Sequence, residues 1–175
     1  MKKLQFFGVF LISFAILLVI WGVTPAARWY TGAVLAGAGT LGPLMHGWVL
    51  SVPPTGQGKP VWSSGQNQVQ ASIQFDAMAI GLVPLIALLI ATPGVPWGRR
   101  LGRVALGLIF NFFIGVIIVA MFPLLVFYQN AFTDVLGTFL GLIAFVGAPA
   151  ILWFVLSFRE LQGVLPSLRL RVPQR

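Results

Sequence analysis

Val104-Ala105-Leu106-Gly107-Leu108-Ile109-Phe110-Asn111-Phe112-Phe113-Ile114-Gly115-Val116-Ile117-Ile118-Val119-Ala120-Met121-Phe122-Pro123-Leu124-Leu125-Val126-Phe127-Tyr128 carries no charged residue from end to end. Hydrocarbon about 30 Å thick is crossed by roughly 20 helical residues, so this stretch is long enough to span a bilayer. Immediately before it stand Arg99, Arg100 and Arg103. A basic cluster beside an apolar run marks the cytoplasmic edge of a membrane helix.

The rest of the chain reads the same way. Of 175 residues, 58% are hydrophobic and 8% charged, and the mean hydropathy is +0.96. Soluble domains carry roughly a quarter charged residues, and a soluble fold of this size has too much surface to hide so much apolar matter. Three further runs qualify as spans, giving 4–23, 77–92, 104–128 and 135–158. The first follows Lys2 and Lys3. It exceeds the roughly 7–15 residue core of a signal peptide, and Thr24-Pro25-Ala26-Ala27 is a poor cleavage site, so it is expected to stay as an anchor. The second holds Pro84.

A fifth apolar stretch, 32–50, is resolved by charge. If it does not cross, nine cations (Lys2, Lys3, Arg99, Arg100, Arg103, Arg159, Arg169, Arg171, Arg175) lie inside and two (Arg28, Lys59) outside. If it crosses, the split becomes three against eight. The excess of cations on cytoplasmic loops selects the first arrangement. Five glycines and Pro43 also weaken this stretch as a continuous span. It is expected to lie on the outer face as an interfacial or re-entrant helix, with Trp29, Tyr30 and Trp48 near the headgroups.

Residues 53–75 form the one substantial polar loop. Val69, Ala71, Ile73 and Phe75 alternate with Gln68, Gln70, Ser72 and Gln74, the period of a half-buried strand. Val61-Trp62 followed by Ser63-Ser64-Gly65-Gln66 suggests a short β-hairpin. The fold class expected is all-α integral membrane: a four-helix transmembrane bundle with an outer-face helix and a hairpin loop. It is a single membrane domain over 1–175, with an outer-face segment 24–76 and a cytoplasmic tail 159–175. Both termini are expected on the cytoplasmic side of a bacterial inner membrane.

Residues able to do chemistry are few. With no cysteine, disulfides, thiolate metal sites and cysteine nucleophiles are excluded. His46 is the only histidine. It reads either as an axial ligand to haem or pigment, or a general base, or as an interfacial histidine in a hydrogen bond, and the last is favoured. A multi-ligand zinc site is not credible. Asp76 and Asp134 open the second and fourth spans. They could face each other as an acid/base pair, but the favoured reading is that each caps its helix. Asn111 inside the third span is expected to bond across helices. Gly137 and Gly141 form a small-xxx-small face for internal packing or oligomerisation. Phosphate loops, nucleophile elbows and paired histidine motifs are lacking.

From Asp76 onward the order of features resembles the exosortase/archaeosortase family of membrane transpeptidase-like enzymes. Asp76-Ala77-Met78-Ala79-Ile80-Gly81-Leu82 is similar to the family's Ala-Cys-Ser-Gly-Leu-like opening of a span. Arg99-Arg100-Leu101-Gly102-Arg103 resembles its basic turn, and Asn111-Phe112-Phe113-Ile114 its Asn-x-x-Arg. Ala131-Phe132-Thr133-Asp134-Val135-Leu136-Gly137 resembles the segment that carries its histidine. The resemblance covers roughly the C-terminal half of the chain. Its cysteine, arginine and histidine would fall near Met78, at Ile114 and near Asp134, and all three are replaced. Without a thiolate the family's acyl-enzyme cannot form, and isoleucine cannot stabilise an oxyanion. The resemblance therefore implies a pseudoenzyme with no catalytic residues, similar to the small membrane proteins associated with exosortases. It would serve as an accessory or scaffold in protein sorting or envelope assembly.

The alternatives are a structural subunit of an energy-transducing or pigment-binding complex, then a small transporter or channel. The expected partners are the lipid bilayer and other membrane proteins, in a homo- or hetero-oligomer, and not nucleic acid. No cofactor is expected, although a bound lipid is. Pigment or quinone enters only under the first alternative, with His46 as the ligand.

Overall fold

A computed structural model describes residues 2–52, 60–70, 81–128, 130–142 and 147–164. Among these, six helices and three strands follow one another: α1 (Lys2–Val23), α2 (Ala26–His46), β1 (Val49–Ser51), β2 (Val61–Ser64), β3 (Asn67–Gln70), α3 (Leu82–Ala91), α4 (Trp97–Phe127), α5 (Ala131–Leu142) and α6 (Ala148–Val164). Two helices are long and apolar enough to cross a membrane, α1 through Gln5–Val23 and α4. The apolar α3 and the Ala148–Phe158 part of α6 are shorter.

α4 is the axis of the fold. Its 31 residues extend about 46 Å at roughly 1.5 Å per residue. It starts a turn or two before the expected 104–128 span, so Arg99, Arg100 and Arg103 lie on the helix itself rather than in a turn ahead of it. Arg100 explains why a basic sequence can start this helix. Its Nη1 donates to the Ile90 carbonyl at 2.7 Å and its Nε to that of Val95 at 2.8 Å. Ile90 is in the last turn of α3, where carbonyls lack intrahelical donors. The α3–α4 connection turns at Pro93-Gly94, with Gly94 at φ 78, the sign that a type II turn requires at its third position.

The stretch expected to be an interfacial or re-entrant helix is a helix, α2, and its glycines pack rather than break it. Thr31, Val34, Leu35, Ala38 and Gly42 are its buried residues, a stripe at helical spacing. A Cβ added at Gly37 would come within 2.8 Å of Val116 Cγ2, and at Gly115 within 3.4 Å of Val34 Cγ1. Because successive residues of α2 meet successive residues of α4, the two helices run side by side in the same direction. The helix stops at Gly47, whose φ of 74 suits the left-handed residue that ends many helices.

The expected hairpin gains a third strand. Trp62 pairs with Val69 and Ser64 with Asn67, leaving Gly65-Gln66 as a two-residue loop. Gly65 has φ 60, fitting the Gly-first loop of a type II′ turn. Antiparallel β1 pairs on the other side of β2, with Leu50 opposite Trp62. Such a small sheet is unstable alone in water. It is held by Trp62, which is fully buried with Trp48 and Val69 in a core shared with α2 and α4. Residues 71–75, the remainder of the expected strand, are outside the described residues.

A second core lies around Leu82, Leu85 and Leu89 of α3, with Trp21 of α1, Tyr30 of α2 and Leu152, Trp153 and Leu156 of α6 against it. A Cβ at Gly107 of α4 would meet Leu85 and Leu89 at 3.3 Å. Two expected spans differ here. Of 77–92, the described helix starts at Leu82. The 135–158 span is described as two helices, α5 and α6, with 143–146 outside the described residues. Pro149 accounts for a helix start at Ala148: proline fits the first turn, where its missing N–H costs nothing, and not a helix interior.

Candidate functional site

The polar residues inside this apolar molecule collect at three joints. The most elaborate is where α2 meets α4 and the sheet. His46 Nε2 lies 2.8 Å from the Ala120 carbonyl oxygen, and the Trp48 N–H reaches His46 Nδ1 at 3.2 Å. A carbonyl only accepts, so Nε2 carries the proton and donates it, while Nδ1 accepts. This assigns the neutral Nε2–H tautomer. The indole of Trp62 packs edge-on, 6.2 Å from the imidazole. Ala120 sits three residues before Pro123, whose missing N–H would have served the Val119 carbonyl, so His46 brings an added donor to a carbonyl in the neighbouring position of that turn. With both ring nitrogens engaged, the imidazole has no free lone pair for a metal or a proton donor in this arrangement.

Asn111, 6% exposed, donates from Nδ2 to the Tyr30 hydroxyl at 3.0 Å, tying α4 to α2 near the Leu82 core. Burial raises the Tyr30 pKa above its ordinary value, against a smaller lowering by the Asn111 bond, so the phenol is neutral. Tyr30 also stacks obliquely on Trp21 of α1, with ring centroids 6.3 Å apart. One side chain thus links three helices.

The third joint was not legible in advance. Thr92 Oγ1 donates to the Leu88 carbonyl at 2.8 Å and accepts from Trp153 Nε1 at 3.1 Å. It lies 3.4 Å from Ser157 Oγ. Thr92 and Ser157 are both buried. The spacing Trp153–Ser157 places both on one face of α6.

The expected capping role of Asp134 belongs to its neighbours. Asn130 Oδ1 accepts the Thr133 N–H at 2.9 Å, while the Asn130 N–H donates to Thr133 Oγ1 at 2.8 Å. This reciprocal pair has the logic of a capping box. Asp134 is exposed in the first turn of α5, where its charge complements the helix dipole. Asp76 and Met78, and with them the expected pairing of Asp76 with Asp134, lie outside the described residues. Ile114 is half-buried on α4. At Gly137 an added Cβ would meet nothing within 4 Å, while close helix approach among the described residues occurs at Gly37, Gly107 and Gly115, and Gly42 meets Trp62 of β2. Gly141 belongs to α5, and its surroundings are outside the described residues.

Among the described residues, no three of His, Asp and Glu come together as a metal site would need. The three joints hold helices and sheet in register, although the indole N–H of Trp62 at the first and of Trp21 at the second is buried without a hydrogen bond among the described residues. No family model, curated protein or solved structure matches this chain.

Proposed function

We propose that this chain is a non-catalytic polytopic protein of the bacterial inner membrane, an accessory or scaffold in a protein-sorting or envelope-assembly system. The carrying observation is α1. Its Gln5–Val23 stretch has a mean hydropathy of 2.7, and none of its most apolar window is buried within the protein. Phe7, Ile12, Ile16 and Val19 are each more than half exposed. Water does not tolerate so large a continuous apolar face, whereas lipid does.

Four crossings follow from this reading: α1, the segment containing α3, α4, and the segment containing α5 and α6. Lys2, Lys3 and the α4 arginines then face the cytoplasm, as does the tail. α2 lies along the part of α4 from Asn111 to Ala120, and at its end the three-stranded sheet would form a braced platform toward the outer side, suited to presenting a fixed surface to a partner. The lack of cysteine and the isoleucine at position 114 support a scaffold over an enzyme of exosortase type. The test is purification from the native membrane in mild detergent, with mass spectrometry of co-purifying proteins and an absorbance scan. A colourless sample carrying sorting or envelope-assembly proteins is expected. Protein-processing activity from the pure chain, or bound pigment, would overturn the reading.

A further inference from the structure

The membrane reading leaves one end of the molecule chemically unusual. α4 begins Trp97-Gly98-Arg99-Arg100-Leu101-Gly102-Arg103, with no acidic residue in its first turn. Arg100 is committed to the fold, through the Ile90 and Val95 carbonyls and by lying 5.0 Å over the Trp97 ring. Arg99 is exposed. Beside it Trp97 is 68% and Leu101 67% exposed. The first turns of α1 are at the same end, because Phe6 stacks on Trp153 at 6.3 Å and Trp153 bonds to Thr92, the residue after α3. Lys2 and Lys3 therefore open α1 at this end.

Cations concentrated here, next to an exposed indole and an exposed leucine, match one kind of surface. A soluble anion would satisfy the charge and leave Trp97 and Leu101 in water. A phospholipid bearing net negative charge satisfies both, with its headgroup at the arginine and its acyl chains beyond the indole. We propose that this end binds anionic phospholipid of the cytoplasmic leaflet, with Arg99 contacting the headgroup and Trp97 and Leu101 seated at the boundary with the acyl chains. The proposal rests on the membrane reading above.

The experiment uses the full chain in vesicles of phosphatidylcholine alone or mixed with phosphatidylglycerol. Flotation and resistance to alkaline extraction test membrane integration first. The protein is then released in mild detergent, and native mass spectrometry measures the ratio of retained phosphatidylglycerol to phosphatidylcholine. Wild type is expected to enrich phosphatidylglycerol. Arg99→Gln should lower the enrichment about five-fold, the effect of one cation near an anionic surface, and Trp97→Ala should lower it too. Arg28→Gln, which removes an exposed cation from α2, should leave it unchanged. Circular dichroism and labelling of a single introduced cysteine, in a chain that has none, check that each variant is folded and oriented as wild type. Integration without enrichment, or equal losses in Arg99→Gln and Arg28→Gln, would overturn the lipid site alone. Failure to integrate would remove the membrane reading, and the lipid site with it.

Discussion

His46 donates from Nε2 to the Ala120 carbonyl, 2.8 Å away, while the Trp48 N–H bonds back to its Nδ1 at 3.2 Å. The imidazole is a strut between the end of α2, the start of β1 and the turn of α4 before Pro123. Replacing it with leucine removes a donor from the Ala120 carbonyl and leaves the Trp48 amide without its acceptor, an unmet group costing about 1–3 kcal/mol. His46→Gln can still donate to Ala120 and should retain more stability than His46→Leu. Thermal unfolding in detergent measures both. Equal loss in the two variants would mean that the strut contributes volume rather than hydrogen bonds.

Glycine substitutions should divide by location. At Gly42 a new methyl would lie 2.7 Å from Trp62 Cζ3 and 3.1 Å from the Trp48 carbonyl oxygen. The indole is fully buried and cannot yield easily, so Gly42→Ala should cost about 1–3 kcal/mol by overpacking. Gly137→Ala meets open space and should be neutral, or stabilising by up to about 1 kcal/mol through helix propensity. Parallel melting curves of the two variants decide the matter.

The helical character of the fold was legible because long uncharged apolar runs offer few alternatives to a helix. The apolar lengths of α1 and α4 follow from composition, and Gly65 between Ser64 and Gln66 marks the hairpin turn. Glycine in 32–50 was harder to interpret. Its low helix propensity argues against a helix when counted residue by residue, yet Gly37 and Gly42 are where α2 touches its neighbours. Sequence does not distinguish a glycine that breaks a helix from one that lets another element approach. The Thr92–Trp153 joint is a contact across 61 residues between common side chains, and no local pattern announces it. The cap of α5 lies in Asn130-Ala131-Phe132-Thr133, where two uncharged side chains carry it beside the more conspicuous charge of Asp134.

That cap gives a direct comparison. Asn130→Ala removes the oxygen that accepts the Thr133 N–H, and losing such a cap costs about 0.5–2 kcal/mol. Asp134→Asn removes only the charge from the first turn, worth about 0.3–1 kcal/mol at an exposed site. Amide hydrogen exchange over α5 should therefore quicken more in Asn130→Ala than in Asp134→Asn. The opposite order would return the capping role to Asp134.

The Asn111–Tyr30 bond links α4 to the first turn or so of α2, and a double-mutant cycle can isolate it. Tyr30→Phe removes the hydroxyl that accepts from Asn111 Nδ2, and Asn111→Leu removes the donor while keeping an apolar side chain of similar reach. If the bond couples the two helices, the double variant should lose less than the sum of the single losses, by about 0.6–2 kcal/mol. Steric damage alone would make the losses additive, because neither change would then depend on the other. Unfolding of all four proteins in the same detergent gives the coupling. A value near zero would reduce Asn111 to a buried amide with a neighbour and leave α2 held on α4 by its glycine contacts and His46.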